Sequence, residues 1–464
     1  MPPHPPPRPD TSPTTVPRHT DNPDGPDGPD PRATDGPGPT PAPPPADRGT
    51  TGVAESPAGA PAADAAGALE RVRALVPAVA ERAAAHDEAG TFPTADFADL
   101  RAAGLLGLMV PRRLGGSGAD FADYTAVAAE LAAGAGATAL IHNMHASVTG
   151  ALAHTPDDLA RALGAPDSWF TTRDRVLREA AGGALYGVAM SERGAGSRLS
   201  RITTGYRRTA GGYRITGHKA FVSGAGHVDA YLVAARDEDA RDAGAGDDGA
   251  GDADVRVSYF LVPAGEGVRV DPTWDSLGMR ATGSHDLRLD TEVPADALLG
   301  GVEGLALPIA EVMPQWLVAS YAAVYVGVAR AVLRAAADHL GARGLTGLPA
   351  VRARVGRADA AVEAAALAVG EAARRVTDRP GEPETNRWVW RAKLLAGDTA
   401  AEVASSVLEA AGASATRRGH PLERLYRDAR CGALQPATSD VCADWLGVAA
   451  LGGDPARDTA VSRW

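Results

Sequence analysis

The chain has 464 residues, 54 of them Gly and 36 Pro, with 44% hydrophobic and 5% aromatic side chains and a formal net charge of -12. Twenty of the prolines lie between Pro2 and Pro61 and no aromatic residue precedes Phe92, so residues 1–65 cannot supply a core and read as a disordered Pro/Gly-rich tail. That tail carries -5 and residues 236–254 carry -6, leaving about -1 for the rest; a body so close to neutral excludes nucleic acid and anionic membrane surfaces as partners on charge.

From Leu69 the pattern turns helical, with Leu69, Val72, Val76, Val79 and Ala83 on one face. Thr94 reads as the cap of a second helix that stops at Gly104, and further helical patterns cover about 120–133 and 137–153, so residues 66–183 are expected to form an α-helical N-terminal domain. Tyr213–Thr216, Ala230–Ala235, Val257–Val262 and Asp286–Leu289 carry the strand signature, and Gly211-Gly212 marks a hairpin turn. Residues 184–300 are therefore read as a β-domain, with the acidic 236–254 stretch as an exposed loop insertion. Long helical patterns at about 305–340, 350–379, 386–411 and 438–451 predict a C-terminal four-helix bundle over 301–464. The fold class expected is α+β.

Cys431 and Cys442 are the only cysteines, and no His lies near them at ligand spacing, which excludes a disulfide framework and a cysteine-rich zinc site; no metal is expected. The N-terminus lacks the apolar segment of a secretion signal. The longest apolar run, Trp316–Ala329, has 14 residues where a membrane span needs about 20, so it reads as a core helix and the protein as cytoplasmic.

Several motifs stand in order along the chain: LLGLMVPRRLGGSG from Leu105, SERGAGS from Ser191, GHKAFVSGAG from Gly217, LGMRATGS from Leu277, Glu292-Val293-Pro294, and PLERLYRDAR from Pro421. Over residues 66 to 455 this series resembles the acyl-CoA dehydrogenase superfamily of flavoenzymes, with its helical N-terminal domain, β-barrel middle domain and helical bundle. The resemblance implies a flavin, usually FAD, between the β-domain and the bundle of a homodimer or homotetramer. By position, Ser191 takes the place of the Thr that hydrogen-bonds the flavin pyrimidine edge, Ser223 that of the Thr near N5, and Phe221 that of the Trp flanking the ring. Met190, Gly196 and Ser197 complete the flavin segment. Arg343 matches the Arg that approaches the FAD pyrophosphate of a neighbouring subunit, and Gly412 belongs to the glycine pair of that site. Glu409 replaces its Gln, and a carboxylate repels a pyrophosphate, so reduced FMN or FAD supplied by a flavin reductase is the alternative cofactor.

Oxidation of an acyl thioester at its CH–CH bond, the activity the resemblance implies first, needs a carboxylate to take the α-proton. The two places where the family carries that Glu hold Pro436 and about Leu317 here. Glu311, Asp440, Gln435 and His142 are the candidates for a displaced catalytic group, with His142 and His145, three apart on one helix, as a proton relay near neutral pH. The alternatives are a reduced-flavin monooxygenase of the same superfamily, which needs no such base and often carries the TGSHD sequence found from Thr282, and a non-catalytic flavin-binding subunit. Arg427 and Asp428 read as an ion pair at the end of the bundle, and Lys219 as exposed or paired without a chemical role.

Overall fold

A computed structural model describes residues 65–239 and 255–455; the expected tail and most of the acidic insertion lie outside them. Helix α1 (Ala65–Ala89) buries Val72, Val79 and Ala83, as its spacing dictates. In α2 (Thr94–Ala102) the expected cap is corrected: Thr94 is the first helical residue and Pro93 precedes it without a side-chain cap. The start of α2 is instead anchored by buried Asp96, which pairs with Arg82 at 2.7 Å and accepts from Thr138 Oγ1 at 2.7 Å. Gly104 ends this region in the left-handed conformation (φ 70°), as expected of a stop. An Asp120/Asp123 capping box opens α3 (Phe121–Gly134), and the nearly wholly buried α4 (Gly136–His154) follows, then α5 (Asp157–Ala162) and α6 (Asp167–Ala181).

The middle of the chain is a curled sheet. Its strands are β1 (Tyr186–Ala189), β2 (Gly205–Thr209), β3 (Gly212–Val222), β4 (Ala230–Asp237), β5 (Val257–Pro263), β6 (Val268–Asp271) and β7 (His285–Pro294), ordered β1-β4-β2-β3-β7-β6 with β5 along β4. β4 pairs parallel to β1 and β2 and antiparallel to β5, and its apolar run is buried on both faces. Arg236 and Asp237 continue β4, so the insertion begins later than residue 236. The β2–β3 hairpin closes with Thr209 opposite Gly212, one residue before the glycine pair expected to form the turn.

The first bundle helix is not continuous. α7 (Ala306–Val312) stops before Pro314, which lacks an N–H and pushes Met313 out of helical geometry (ψ 56°); a single turn, Pro314–Trp316, leads into α8 (Ala319–Ala342). The segment Pro314–Ala342 is long and apolar enough to cross a membrane, yet 78% of its most apolar stretch is buried, as befits a core helix. α3 lies so close to α8 that a Cβ on Gly327 would sit 2.2 Å from the Ala129 carbonyl oxygen. α9 (Pro349–Asp378) and α10 (Pro383–Ala411) pack on α8 through stripes such as Val362, Val369 and Val376, and Val389, Ala396, Val403 and Val407. The PLERLYRDAR segment forms α11 (Pro421–Arg430), a helix not among those expected from the sequence, and α12 (Ser439–Ala450) closes the described chain.

Candidate functional site

The chain leaves β1 through Met190 and Ser191 and folds back at once: Glu192 and Gly196 exchange backbone hydrogen bonds at 2.8 and 2.9 Å. Gly194 (φ 93°) and Gly196 (φ 62°) make the tight turn possible, and both face open space. Under this turn the Glu192 carboxylate is buried. One oxygen accepts from Lys219 Nζ at 2.8 Å and from the Thr204 N–H at 3.0 Å; the other accepts from the Thr203 N–H and hydroxyl, both at 2.7 Å. Burial works against the charged carboxylate, but Lys219 and the Thr donors prevail and hold Glu192 at about 2. Burial pulls Lys219 down to about 8 against the attraction of Glu192. Of the two readings of Lys219, exposed or paired, the structure bears out the second: its other contact is the Met190 carbonyl at 3.3 Å, and the adjacent Ala220 N–H donates to the Ser191 carbonyl at 2.8 Å. Those bonds fasten the SERGAGS turn to the end of β3.

At that end the β3–β7 register shifts between Lys219 and Val222, and Phe221 takes a left-handed conformation (φ 60°) that is rare for an aromatic residue. The bulge turns Ala220, Val222 and Ser223 inward and leaves Phe221 half-exposed against Trp274, with their ring centroids 6.3 Å apart. Ser223 Oγ lies 2.9 Å from Ser284 Oγ, which lies 2.7 Å from Thr282 Oγ1, and Thr282 donates to the Met279 carbonyl at 2.8 Å. Sequence reasoning recognised Ser223 alone; Ser284 and Thr282 carried only a motif letter.

Met190 leads to the other side of the strand. It belongs to the wall of a cavity of about 130 Å³ with Val188, Leu152, Trp169, Trp316 and Leu317. No Asp, Glu, His, Lys or Arg is among the lining residues, and its polar members are hydroxyls and indoles. The buried Trp316 Nε1 has no hydrogen-bond partner. Leu317, one of the two positions where the resemblance places a general base, thus faces apolar surroundings.

The displaced-base candidates fare differently. Glu311 is exposed near the end of α7 and Asp440 is exposed in the first turn of α12; neither lines the cavity. Gln435 is held from both sides: Tyr325 OH donates to its Oε1 at 2.7 Å, and the wholly buried Lys393 ammonium donates to the carbonyls of Gly432, Gln435 and Ala437 at 2.9, 3.2 and 2.9 Å. Burial lowers Lys393 to about 8. His145 is corrected from relay to scaffold, and His142 lies buried beside it. His145 donates from Nε2 to the Leu106 carbonyl at 2.7 Å and accepts the Tyr186 N–H on Nδ1 at 3.0 Å, so both ring nitrogens are spent. His142 Nε2 donates to the Leu105 carbonyl at 3.0 Å. Burial lowers both, His145 to about 3, so His145 does not titrate near neutrality. The Arg427–Asp428 pair is also corrected: Arg427 binds Asp87 at 2.5 Å and Glu423 at 2.7 Å, while Asp428 accepts the Met279 N–H at 2.6 Å.

Arg343, Glu409 and Gly412 gather at the opposite end of α8. Arg343 donates to Ser414 Oγ at 3.0 Å and Glu409 pairs with Arg354 at 2.5 Å. The 24 residues of α8 span about 36 Å, which sets Arg343 at the far end of the helix from the cavity residue Leu317.

Comparison with known proteins agrees with this architecture. Family profiles match the acyl-CoA dehydrogenase N-terminal domain over residues 66–161, the middle domain over 187–291 and the C-terminal domain over 319–439. The amino sugar nitrososynthase DnmZ of Streptomyces peucetius is 31% identical over 400 residues, covering 83% of this chain and 93% of that protein. The chain belongs to the acyl-CoA dehydrogenase superfamily. A putative acyl-CoA dehydrogenase, YdbM of Bacillus subtilis, is 29% identical over 80% of this chain and 93% of its own length. Among solved structures, TdsC of Paenibacillus sp. A11-2, a dibenzothiophene monooxygenase captured with FMN and indole, superposes with a TM-score of 0.69 at 26% identity over 83% of this chain and 97% of its own. The superfamily assignment and its three-part fold are those the motifs implied.

Proposed function

We propose that this protein is a reduced-flavin-dependent monooxygenase that acts on a small, neutral, apolar substrate. The observation that carries the reading is the cavity: both positions expected to hold a proton-abstracting Glu are apolar, and no acid or base lines the cavity that Leu317, one of them, borders. Thioester dehydrogenation needs such a base; transfer of an oxygen atom does not. A cavity of about 130 Å³ lined by aliphatic and aromatic side chains suits a small apolar aromatic molecule, whereas a sugar nucleotide would bring buried charge without a partner.

The residues present fit a flavin ring. Ser191 and Ser223 offer hydroxyls, the Gly194–Gly196 turn leaves open space beside them, and half-exposed Phe221 offers an aromatic edge. FMN suits the chain better than FAD, because Glu409 and Arg343 are already engaged with Arg354 and Ser414. The relative TdsC binds FMN. Bound reduced flavin supplies two electrons to O2, one oxygen atom entering the substrate and the other leaving as water. The chain's share is to hold the ring against Ser191, Ser223 and Phe221, to exclude water by the apolar wall, and to fix Gln435 through Tyr325 and Lys393. Such an enzyme draws on a flavin reductase. Exposed Leu367 on α9 and Leu395 on α10 are apolar side chains that assembly through the bundle would cover.

The test supplies purified protein with FMN, a flavin reductase, NADH and indole under ¹⁸O₂. A product carrying one ¹⁸O atom, formed only when both proteins are present, is expected. Anaerobic bleaching of bound flavin by a short acyl-CoA, with formation of the enoyl thioester, would overturn the reading in favour of dehydrogenation.

A further inference from the structure

The three hydroxyls behind the flavin segment have a direction. A carbonyl oxygen only accepts, so the Thr282 proton is spent on Met279; Thr282 Oγ1 must then accept from Ser284, and Ser284 Oγ in turn from Ser223. The three side chains are buried, at 7%, 5% and 0% exposure for Ser223, Ser284 and Thr282, so water does not replace these partners from behind. The single Ser223 proton therefore points into the protein, and the open side of its oxygen carries lone pairs.

Flavin changes sign at N5: the oxidised ring presents a bare nitrogen that accepts, and the reduced ring presents an N–H that donates. We infer that Ser223 meets the flavin as an acceptor and that the Ser284–Thr282 relay makes the protein favour reduced over oxidised flavin. The inference rests on the proposed function for the placing of Ser223 beside N5. Serving oxidised flavin is possible if all three protons reverse, since the Met279 carbonyl keeps the Thr282 N–H at 3.1 Å and the Trp274 Nε1–H at 3.3 Å. Reversal gives up one hydrogen bond in the chain, which sets the preference at roughly 3- to 10-fold in affinity. A monooxygenase that collects reduced flavin from a reductase and releases the oxidised form gains from a bias of that sign.

The experiment titrates the full chain anaerobically with oxidised FMN and with FMN reduced by dithionite, and repeats both titrations with FAD. In Ser284→Ala the Ser223 proton is released toward the ring, so the ratio of oxidised to reduced Kd is expected to fall roughly 3- to 10-fold, mainly through tighter binding of the oxidised form. Thr282→Val frees the Ser284 proton and shifts the ratio the same way. Neither substitution has an effect in a Ser223→Ala background. A general folding defect would instead weaken both forms together, and circular dichroism identifies it. Unchanged ratios in both variants, with binding intact, overturn the inference and leave the proposed function standing; failure of the unaltered protein to bind either flavin in either state overturns both.

Discussion

The ammonium of Lys219 and the carboxylate of Glu192 meet at 2.8 Å with almost no solvent exposure, joining the SERGAGS turn to the end of β3. Removing one partner leaves the other charge buried without its counter-charge. Lys219→Met is therefore expected to destabilise the protein by about 3–5 kcal/mol and to weaken flavin binding. The double variant Glu192→Gln/Lys219→Met should recover part of the stability, because an amide keeps an acceptor for Thr203 or Thr204 without a charge. Urea unfolding of the two single variants and the double variant measures this coupling; strict additivity would contradict it.

His145 makes the fold acid-sensitive. Burial lowers it from an unfolded value near 6.5 to about 3, so between those limits the unfolded chain binds a proton that the folded chain refuses. Its contribution to stability is complete above the unfolded value and is lost as pH falls through that window, at about 1.4 kcal/mol per pH unit. His145→Gln can still bond to Leu106 or Tyr186, and should flatten the decline between pH 6 and 4 even if it lowers stability at pH 7. Thermal melts across that range decide the matter.

Lys393 gives the opposite limb. It titrates at about 8 in the folded chain and near 10.4 when unfolded, so between these values the unfolded chain again holds the extra proton and stability rises with pH. Lys393→Met is expected to remove that gain: the advantage of the unaltered protein over the variant should be larger at pH 10 than at pH 7.5. The variant also leaves three carbonyls of residues 432–437 without their donor, so hydrogen exchange in that segment should quicken.

Gly150 sets the shape of the cavity. A Cβ there would lie 2.3 Å from the Trp316 ring and 2.8 Å from Met109 Sδ, so Gly150→Ala must displace Trp316. The cost is about 1–3 kcal/mol of stability. Because Trp316 is part of the wall, the variant should also bind indole more weakly while its FMN affinity stays unchanged; an unaltered affinity for indole would place the substrate elsewhere.

Much of this protein is written in local pattern. Spacing of Val and Ala along α1 and α9, β-branched runs in β4 and β5, and glycine at residue 104 each act through neighbours within a turn or a strand, so they were readable directly. So was the loss of the expected base, since Pro436 and Leu317 are identities rather than conformations. The break at Pro314 is also present in the sequence, but the apolar pattern that continues across it masks it.

The site itself was decided by contacts between distant parts of the chain. Ser223 and Ser284 are 61 residues apart, Tyr325 and Gln435 are 110 apart, and Lys393 reaches carbonyls about 40 residues away. Composition held one unread hint: Lys219 and Lys393 are the only lysines, and both are buried. A buried ammonium needs up to three acceptors converging on a point, and a hydroxyl acquires a donor direction only from the partner behind it. Both are properties of packed geometry. Sequence therefore determined the elements and which chemistry was missing, while tertiary structure alone fixed where each proton is held.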